Sequence, residues 1–347
     1  MPGENYTQNH CGYRGAMTFR ITRIAASVAL TLAALGADAD PLQVTAHPIE
    51  QFSLGSDRTA FGSLTFIGGL ELSSPDRRFG GLSGIAIMDG GRKAMAVGDR
   101  GYLVEMTLRH DDARLMGISG ASILPLARRR GSRSGITDAE DIALDPNNLK
   151  RAVIPVESDS AWLLIAIDLD DPSAAPEVLG VPAPVKRLPM NRQLESAAFF
   201  PADSQYAAAL LVIAERSDYR RDEKIDAWIL GHGHFTIRRR DKFDITSARF
   251  LPDGDLILLE RYYSSGFDIR MRLRRIAGDR IFPGSEADGD VLLDAGFIQQ
   301  IDNMVGLDIH TDDRGRIILT LVSDDNLNIL QRTLILQFLI AENDSDG

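Results

Sequence analysis

The sequence predicts an all-β fold of the β-propeller class. Three observations carry this. A unit of short apolar strand, polar turn, second apolar strand and acidic residue recurs five times. The units begin beside Gly84, Asp141, Ser196, Ser247 and Gly306, so successive spacings are 57, 55, 51 and 59 residues. Several turns carry Asp-Gly, Gly-Gly or Pro-Asp chemistry, which suits tight reversals between strands. Repeats of this length built from strands pack as blades around an axis.

The first unit reads GIAIM, a turn at Asp89-Gly90-Gly91, then KAMAVGD. The second is IALD-PNN-LKRAVIPVE, and the third is AAFFPADSQYAAALLVIAE with a longer turn around Pro201. The fourth, ARFLPDGDLILLE, turns at Pro252-Asp253-Gly254; the fifth, LDIHTDDRGRIILTLVSDD, turns between Asp312 and Gly315. Each second strand is almost wholly apolar, as expected of strands covered on both faces. Third strands follow from Tyr102, Trp162, Ile225, Asp268 and Thr333, several alternating apolar with polar residues. A fourth strand is evident only as VLLD from Val291. Residues 49–72 also read as strands. Their expected role is to close the ring against the C-terminal strand, removing two open edges. Five blades are countable; a sixth, built from the N-terminal segment, is the alternative count.

Composition bounds the rest. The chain has 347 residues, 44% hydrophobic and 25% charged, and a net charge of −11. This balance disfavours nucleic-acid binding. Residues 1–39 read as an upstream extension and a signal peptide. Met17, Arg20 and Arg23 precede an apolar run over residues 24–35, and Ala37-Asp38-Ala39 fits a cleavage site. The run suits a signal core and is too short to span a membrane. The expected mature protein is one propeller domain, residues 40–347, periplasmic or secreted. Its only cysteine, Cys11, would leave with the signal, so no disulfide would support the fold. No later segment is apolar for long enough to span a bilayer, and nothing in the chain specifies an oligomeric state.

The acids that end the second strands are Asp99, Glu157, Glu215, Glu260 and Asp324. Glu140 and Glu195 stand just before their first strands, and Asp302 just before the fifth. Repetition places such residues at equivalent positions around one mouth. A ring of carboxylates suits a hard cation such as Ca²⁺, or acid–base chemistry. The same acids would also serve as strand-end caps, or as ion-pair partners of Arg100, Arg216 and Arg261. Arg128, Arg129, Arg130 and Arg133 form a basic loop suited to phosphate or carboxylate, or simply to water. Ser83 is not in a nucleophile elbow, and there is no phosphate-binding loop, dinucleotide fingerprint or cysteine metal motif. His232 and His234 sit in a turn-like GHGH, and His310 ends a first strand.

FGGLSGI with GDRG, DAEDIAL with VES, NRQLESAAF with AER, and DNMVGL with SDDNLNILQRTLILQF resemble the "esterase-like activity of phytase" family, from about Phe61 to Leu339. The resemblance implies an exported propeller hydrolase acting on small phosphate esters. On that reading Glu140, Glu195, Glu215 and Glu260 are the acid–base candidates. Arg100, Arg216 and Arg261 would hold substrate, and Asp99, Glu157, Asp302 and Asp324 would hold divalent cation, Ca²⁺ by preference. The sequence departs from the family pattern at Val305, where glutamate is usual, and at Asp141 and Gln193, where glycine is usual. The Val305 departure and the lack of a recognisable nucleophile also fit a non-catalytic propeller that binds a ligand or partner.

Overall fold

The computed structural model describes residues 39–126, 136, 138–157, 163–185, 188, 194–216, 223–264 and 268–341. The signal-like segment, the basic loop at 128–133 and Gln193 lie outside them. Five sheets follow one another along the chain, as expected of five blades, antiparallel except where Glu286–Ala287 joins blade three in parallel with Gly233–Arg238. Their innermost strands are Leu82–Met88, Ala143–Asp145, Leu194–Phe199, Asp244–Phe250 and Met304–Thr311. Short 3-10 turns stand at Asp89–Gly91 and Gly278–Arg280.

The N-terminal segment builds no sixth blade. Leu64–Ser73 instead pairs antiparallel with Thr333–Ile340, from Leu72 opposite Thr333 to Leu64 opposite Ile340. Thr45–Ile49 adds one strand outside it, and Phe52, Phe61, Phe66 and Phe338 pack ring on ring at 5.1–5.4 Å across the join. Upstream again, Asp40–Pro41 pairs with Arg114–Pro125 at the outer edge of blade one. The N-terminal strands thus tie blade one to blade five.

The hydrophobic core lies between blades. Ile257, Leu259 and Met271 of blade four meet Leu307, Leu319 and Phe338 of blade five, all buried. Val97 and Leu103 of blade one meet Ile142 and Ile154 of blade two. This is why the second strands are apolar on both faces.

Near the axis every innermost strand departs from regular pairing at its start. The register shifts between Leu82 and Gly84, Leu194 and Ser196, Ile245 and Ser247, and Met304 and Gly306. In blade two, Ala139 bridges Val156 and the Glu140 N–H donates to the Pro155 carbonyl at 3.0 Å, which places Glu140 in the same position. The residues left unpaired are therefore Ser83, Glu140, Glu195, Thr246 and Val305. Such bulges re-aim a side chain and are common beside functional sites. Crowding at the axis explains the small residues next to them. A side chain at Gly84 would meet the Asp141 backbone at 2.7 Å, and one at Gly306 the Ser83 carbonyl at 2.8 Å.

Beneath these bulges the axis is closed by a buried ionic hub. The Arg249 guanidinium donates to both oxygens of Asp141 at 2.8 and 2.9 Å, and its Nε to Asp308 at 3.2 Å. It also donates to the carbonyls of Ala197 and Ile142. Asp141 accepts from Ser196 Oγ at 3.0 Å, and that oxygen accepts from the Ala248 N–H at 2.9 Å. Asp308 accepts from the Ile87 N–H. All five blades contribute. Removing one member of a buried pair strands the other, at a typical cost of about 3–5 kcal/mol. We expect Arg249→Met and Asp141→Asn each to lower unfolding stability by about that much in urea titrations. A loss under about 1 kcal/mol for both would show that the hub does not hold the blades.

Candidate functional site

The second strands end on the same side as the bulges. In blade four, Asp244 pairs with Arg261 and Ile245 with Glu260. In blades one, three and five the residues matching Glu260 in register are Gly98, Ala214 and Ser323. The next position is then Asp99, Glu157, Glu215, Arg261 and Asp324 in blade order. Glu260 is one residue off the expected ring, and a slip of one flips a strand residue to the other face. It is fully buried and ion-paired with Arg274, itself fully buried and bound to Asp288 at 2.9 Å. Arg261 takes the strand-end position in blade four.

Five further expected acids fall into place as follows. Glu140 and Glu195 hydrogen-bond to each other through their carboxyl groups. Arg261 reaches Glu215 at 3.3 Å and the Asn303 side-chain oxygen at 2.9 Å. Asn303 donates to Asp324 at 3.4 Å. Asp99 accepts from Ser83 Oγ at 2.7 Å.

Asp302 is drawn outward. It accepts from Gln331 Nε2 at 3.2 Å and the Arg332 N–H at 3.1 Å, which fixes the loop after Asp324. Arg216 is held by Asp244, which also takes Arg239. Arg100 donates to the Arg77 carbonyl. One acid escaped the sequence reading. Asp138 lies beside Glu140 and Glu157, with one carboxylate oxygen of each within 4.8 Å of the others. Its signal was present in the acid-rich TDAED run, read there only through Glu140.

Crowded acids out of water hold their protons. Burial, then the charges of Glu195 and Asp138, hold Glu140 well above the usual carboxylate range. Burial and Glu215 push Glu195 up to about 8, against the opposing pull of Arg261. Burial and Asp99 push Asp324 up to about 7. Asp99 is itself raised, chiefly by burial, while the Ser83 hydroxyl opposes the shift. The Glu140–Glu195 pair therefore shares a proton near neutral pH, as carboxyl groups do when both cannot ionise.

The donor set suits a hard cation. It is all oxygen, with no sulfur or imidazole. Oxygens on a common Ca²⁺ at 2.3–2.6 Å lie no more than about 5 Å apart, which Asp138, Glu140 and Glu157 satisfy. Elsewhere, His234 sits on Asp226 at 2.7 Å, and His310 is half-buried, with both ring nitrogens covered and unbonded.

Fold and mouth together define a five-bladed β-propeller with a carboxylate-rich axial mouth answered by one blade-four arginine. The chain belongs to the phytase-like family: residues 77–327, well over half of it, match the family described as "Esterase-like activity of phytase". No curated protein matches the chain. Among solved structures it is similar to an endo-arabinase from Bacteroides thetaiotaomicron VPI-5482, with 10% identity over 77% of this chain and 95% of that one, at a TM-score of 0.48. A glucose dehydrogenase gives 10% identity, 80% and 99% coverage, and a TM-score of 0.41. The β-propeller domain of Cps50 (Swd1) from Myceliophteria thermophila gives 9% identity, 86% and 100% coverage, and 0.38. Nothing about function passes from these three to this chain.

Two predictions follow from the charges. Raised carboxyl pKa values favour the folded state below about pH 4, and that contribution is lost as pH rises toward the folded values of about 7 and 8. In chelator, the melting temperature should fall between pH 5 and pH 8, with Glu195→Gln flattening the decline; a melting temperature that rises over that range would contradict the assignment. Glu260→Gln should cost about 3 kcal/mol of stability through its buried pair with Arg274. It should leave any cation response of the melting temperature unchanged, since Glu260 is not in the mouth.

Proposed function

We propose that the chain is an exported phosphoesterase that hydrolyses small phosphate esters with help from a divalent cation, Ca²⁺ by preference. The observation that carries this reading is the division of the mouth. Carboxylates of blades one and two crowd together without an equal number of cations, while Arg261 stands across from them between Glu215 and Asn303. An anionic ester meets repulsion on the first side and a guanidinium fork on the second.

Asp138, Glu140 and Glu157 would hold the cation, with Asp99 and Asp324 adding charge nearby. When bound, the ion supplies Lewis acidity and offsets the acids. Arg261, oriented by Glu215 and Asn303, binds phosphoryl oxygens and stabilises charge that builds on them. Glu195, whose carboxyl meets that of Glu140 and is raised by burial and Glu215, accepts a proton from the attacking water and returns it to the leaving alkoxide. Both tasks need pKa values near the working pH, which burial and like charge provide. Arg216 and Arg100, each bound elsewhere, would act only at a distance.

A second reading has its own support. Val305 fills the blade-five bulge, the position held by Glu140 and Glu195 in blades two and three. Without an acid there, the mouth would bind a cation and an anionic ligand and release the ligand unchanged.

Purified protein assayed on phosphomonoester, phosphodiester and carboxylester substrates separates the two. The hydrolase reading expects Ca²⁺-dependent release of phosphate, abolished by chelator. It also expects a loss of kcat of about 10²–10⁴-fold in Glu195→Gln. Ligand binding without turnover, weakened by Arg261→Ala, would favour the binding reading. Export is tested apart from activity: the mature chain should begin near Asp40, and an intact Met17 start on cytosolic protein would refute it.

A further inference from the structure

A cavity of about 720 Å³ lies beside the outer strands of blade four, Ile269–Ile276 and Asp290–Ala295. Its apolar walls are Phe243, Tyr262, Phe297 and Ile298. Short closed turns hold three of these in place. The Phe243 N–H donates to the Arg240 carbonyl at 2.9 Å, with Asp241 and Lys242 between them both at positive φ. Non-glycine residues seldom take that conformation, and it recurs at ligand sites. The buried Arg239 braces the turn by donating to the carbonyls of Lys242 and Phe243. On the other wall, the Gln299 N–H donates to the Gly296 carbonyl and the Gly296 N–H to Gln299 Oε1, each at 2.9 Å. This second turn carries Phe297, 84% exposed, and Ile298 to the cavity.

Charged pairs lie on the aromatic rings. Arg270 and Arg272 alternate along their strand and so share a face, with Tyr262 opposite Arg270 in register. The Arg272 guanidinium stands over the Phe243 ring at 4.2 Å and that of Arg270 over Tyr262 at 5.6 Å. Each donates through Nε and Nη2 to one aspartate. Arg270 reaches Asp268 at 2.8 and 3.3 Å, and Arg272 reaches Asp294 at 2.7 and 3.4 Å. Arg272 also meets Asp241 at 2.9 Å. It is only 6% exposed, yet its Nη1 has no hydrogen-bond partner among the described residues. A buried donor left unmet is costly, and in the lining of a cavity it points to an acceptor that the cavity receives.

We propose that this cavity is a binding site for a neutral saccharide, separate from the mouth. With Lys242 counted, its three cationic side chains match its three carboxylates, so it has no net charge to draw an ion of either sign. An anion would meet Asp241, Asp268 and Asp294, and a wholly apolar ligand would bury these charges without answering them. A sugar ring has an apolar C–H face, which packs on aromatic rings, and a rim of hydroxyls, each able to donate and to accept. Tyr262 and Phe297 supply the rings. Each Arg–Asp pair sets donors and acceptors side by side, as neighbouring hydroxyls require. Carboxylate oxygens of Asp241 and Asp294 accept from hydroxyl groups, and a hydroxyl oxygen answers Arg272 Nη1. The volume is that of sites for drug-sized ligands, which gives room for a short oligosaccharide.

Calorimetric titration of the purified protein, in chelator, with neutral trisaccharides of glucose, mannose, galactose, xylose and N-acetylglucosamine tests this. Wild type should bind at least one of them. Phe297→Ala and Arg270→Ala should each weaken that binding by about tenfold or more at an unchanged melting temperature, since both side chains are exposed. Arg261→Ala should leave it as it is, because Arg261 belongs to the mouth. Absence of binding across the panel, or equal binding by wild type and both variants, overturns the proposal. Binding that requires Ca²⁺ or is lost in Arg261→Ala overturns it as well, since it places the sugar in the mouth. So does capture of immobilised peptides that depends on Phe297 while every sugar fails, which would make the cavity a protein-docking site.

Discussion

Arg249 is the residue on which the rest of the structure turns. A propeller packs wedge-shaped blades around an axis where little apolar volume is available, so backbone and small side chains must meet there. Here one guanidinium, between Asp141 and Asp308 with hydroxyls and backbone groups around it, joins all five innermost strands. A buried ion pair of this kind contributes modest net stability but strongly penalises arrangements that leave it incomplete. It fixes the rotation of each blade about the axis. The positions of Glu140, Asp141's neighbour, and of Glu195, Ser196's neighbour, follow from it.

The mouth inherits its asymmetry from that frame. Five equivalent bulges present Ser83, Glu140, Glu195, Thr246 and Val305, and five strand ends present Asp99, Glu157, Glu215, Arg261 and Asp324. Symmetry supplies the places; the differing residues supply the chemistry. Acids stand on blades one to three and, as Asp324, on blade five; the arginine stands on blade four. A ring of identical carboxylates would bind cations and repel any anion. This one has a side for each.

The fold was legible because its signals are local and repeated: turn residues, apolar second strands and even spacing. The repeat positions read from the sequence, Gly84, Asp141, Ser196, Ser247 and Gly306, are the ones that follow the five bulges. The N-terminal strands were read in their pairing with Thr333–Ile340, while the alternative of a sixth blade was not met. The site was less legible, for reasons of register and partnership. Glu260 and Arg261 are adjacent, and only the pairing of Ile245 with Glu260 shows which one faces the mouth. Asp302 carries the right charge in the right stretch, but Arg332 and Gln331 claim it. In the sequence Asp141 marks a repeat start and a departure from glycine, and neither signals an ionic hub. Its partner Arg249 drew no attention, although an arginine inside the inner strand ITSARF was itself a signal.

Ring closure sets the order in which this molecule can form. The strand that completes blade five, Thr333–Ile340, pairs with Leu64–Ser73, so Leu72 and Thr333 meet across about three-quarters of the chain. Contacts of such long range form slowly, because chain entropy must be lost before they reward it. Until they form, blade five exposes two open strand edges and its share of the core beside blade one. A molecule interrupted before its last strand is thus not a slightly smaller propeller. It is an open arc whose free edges can pair with those of another copy, which makes the C-terminal strand a safeguard against aggregation as much as an element of the fold.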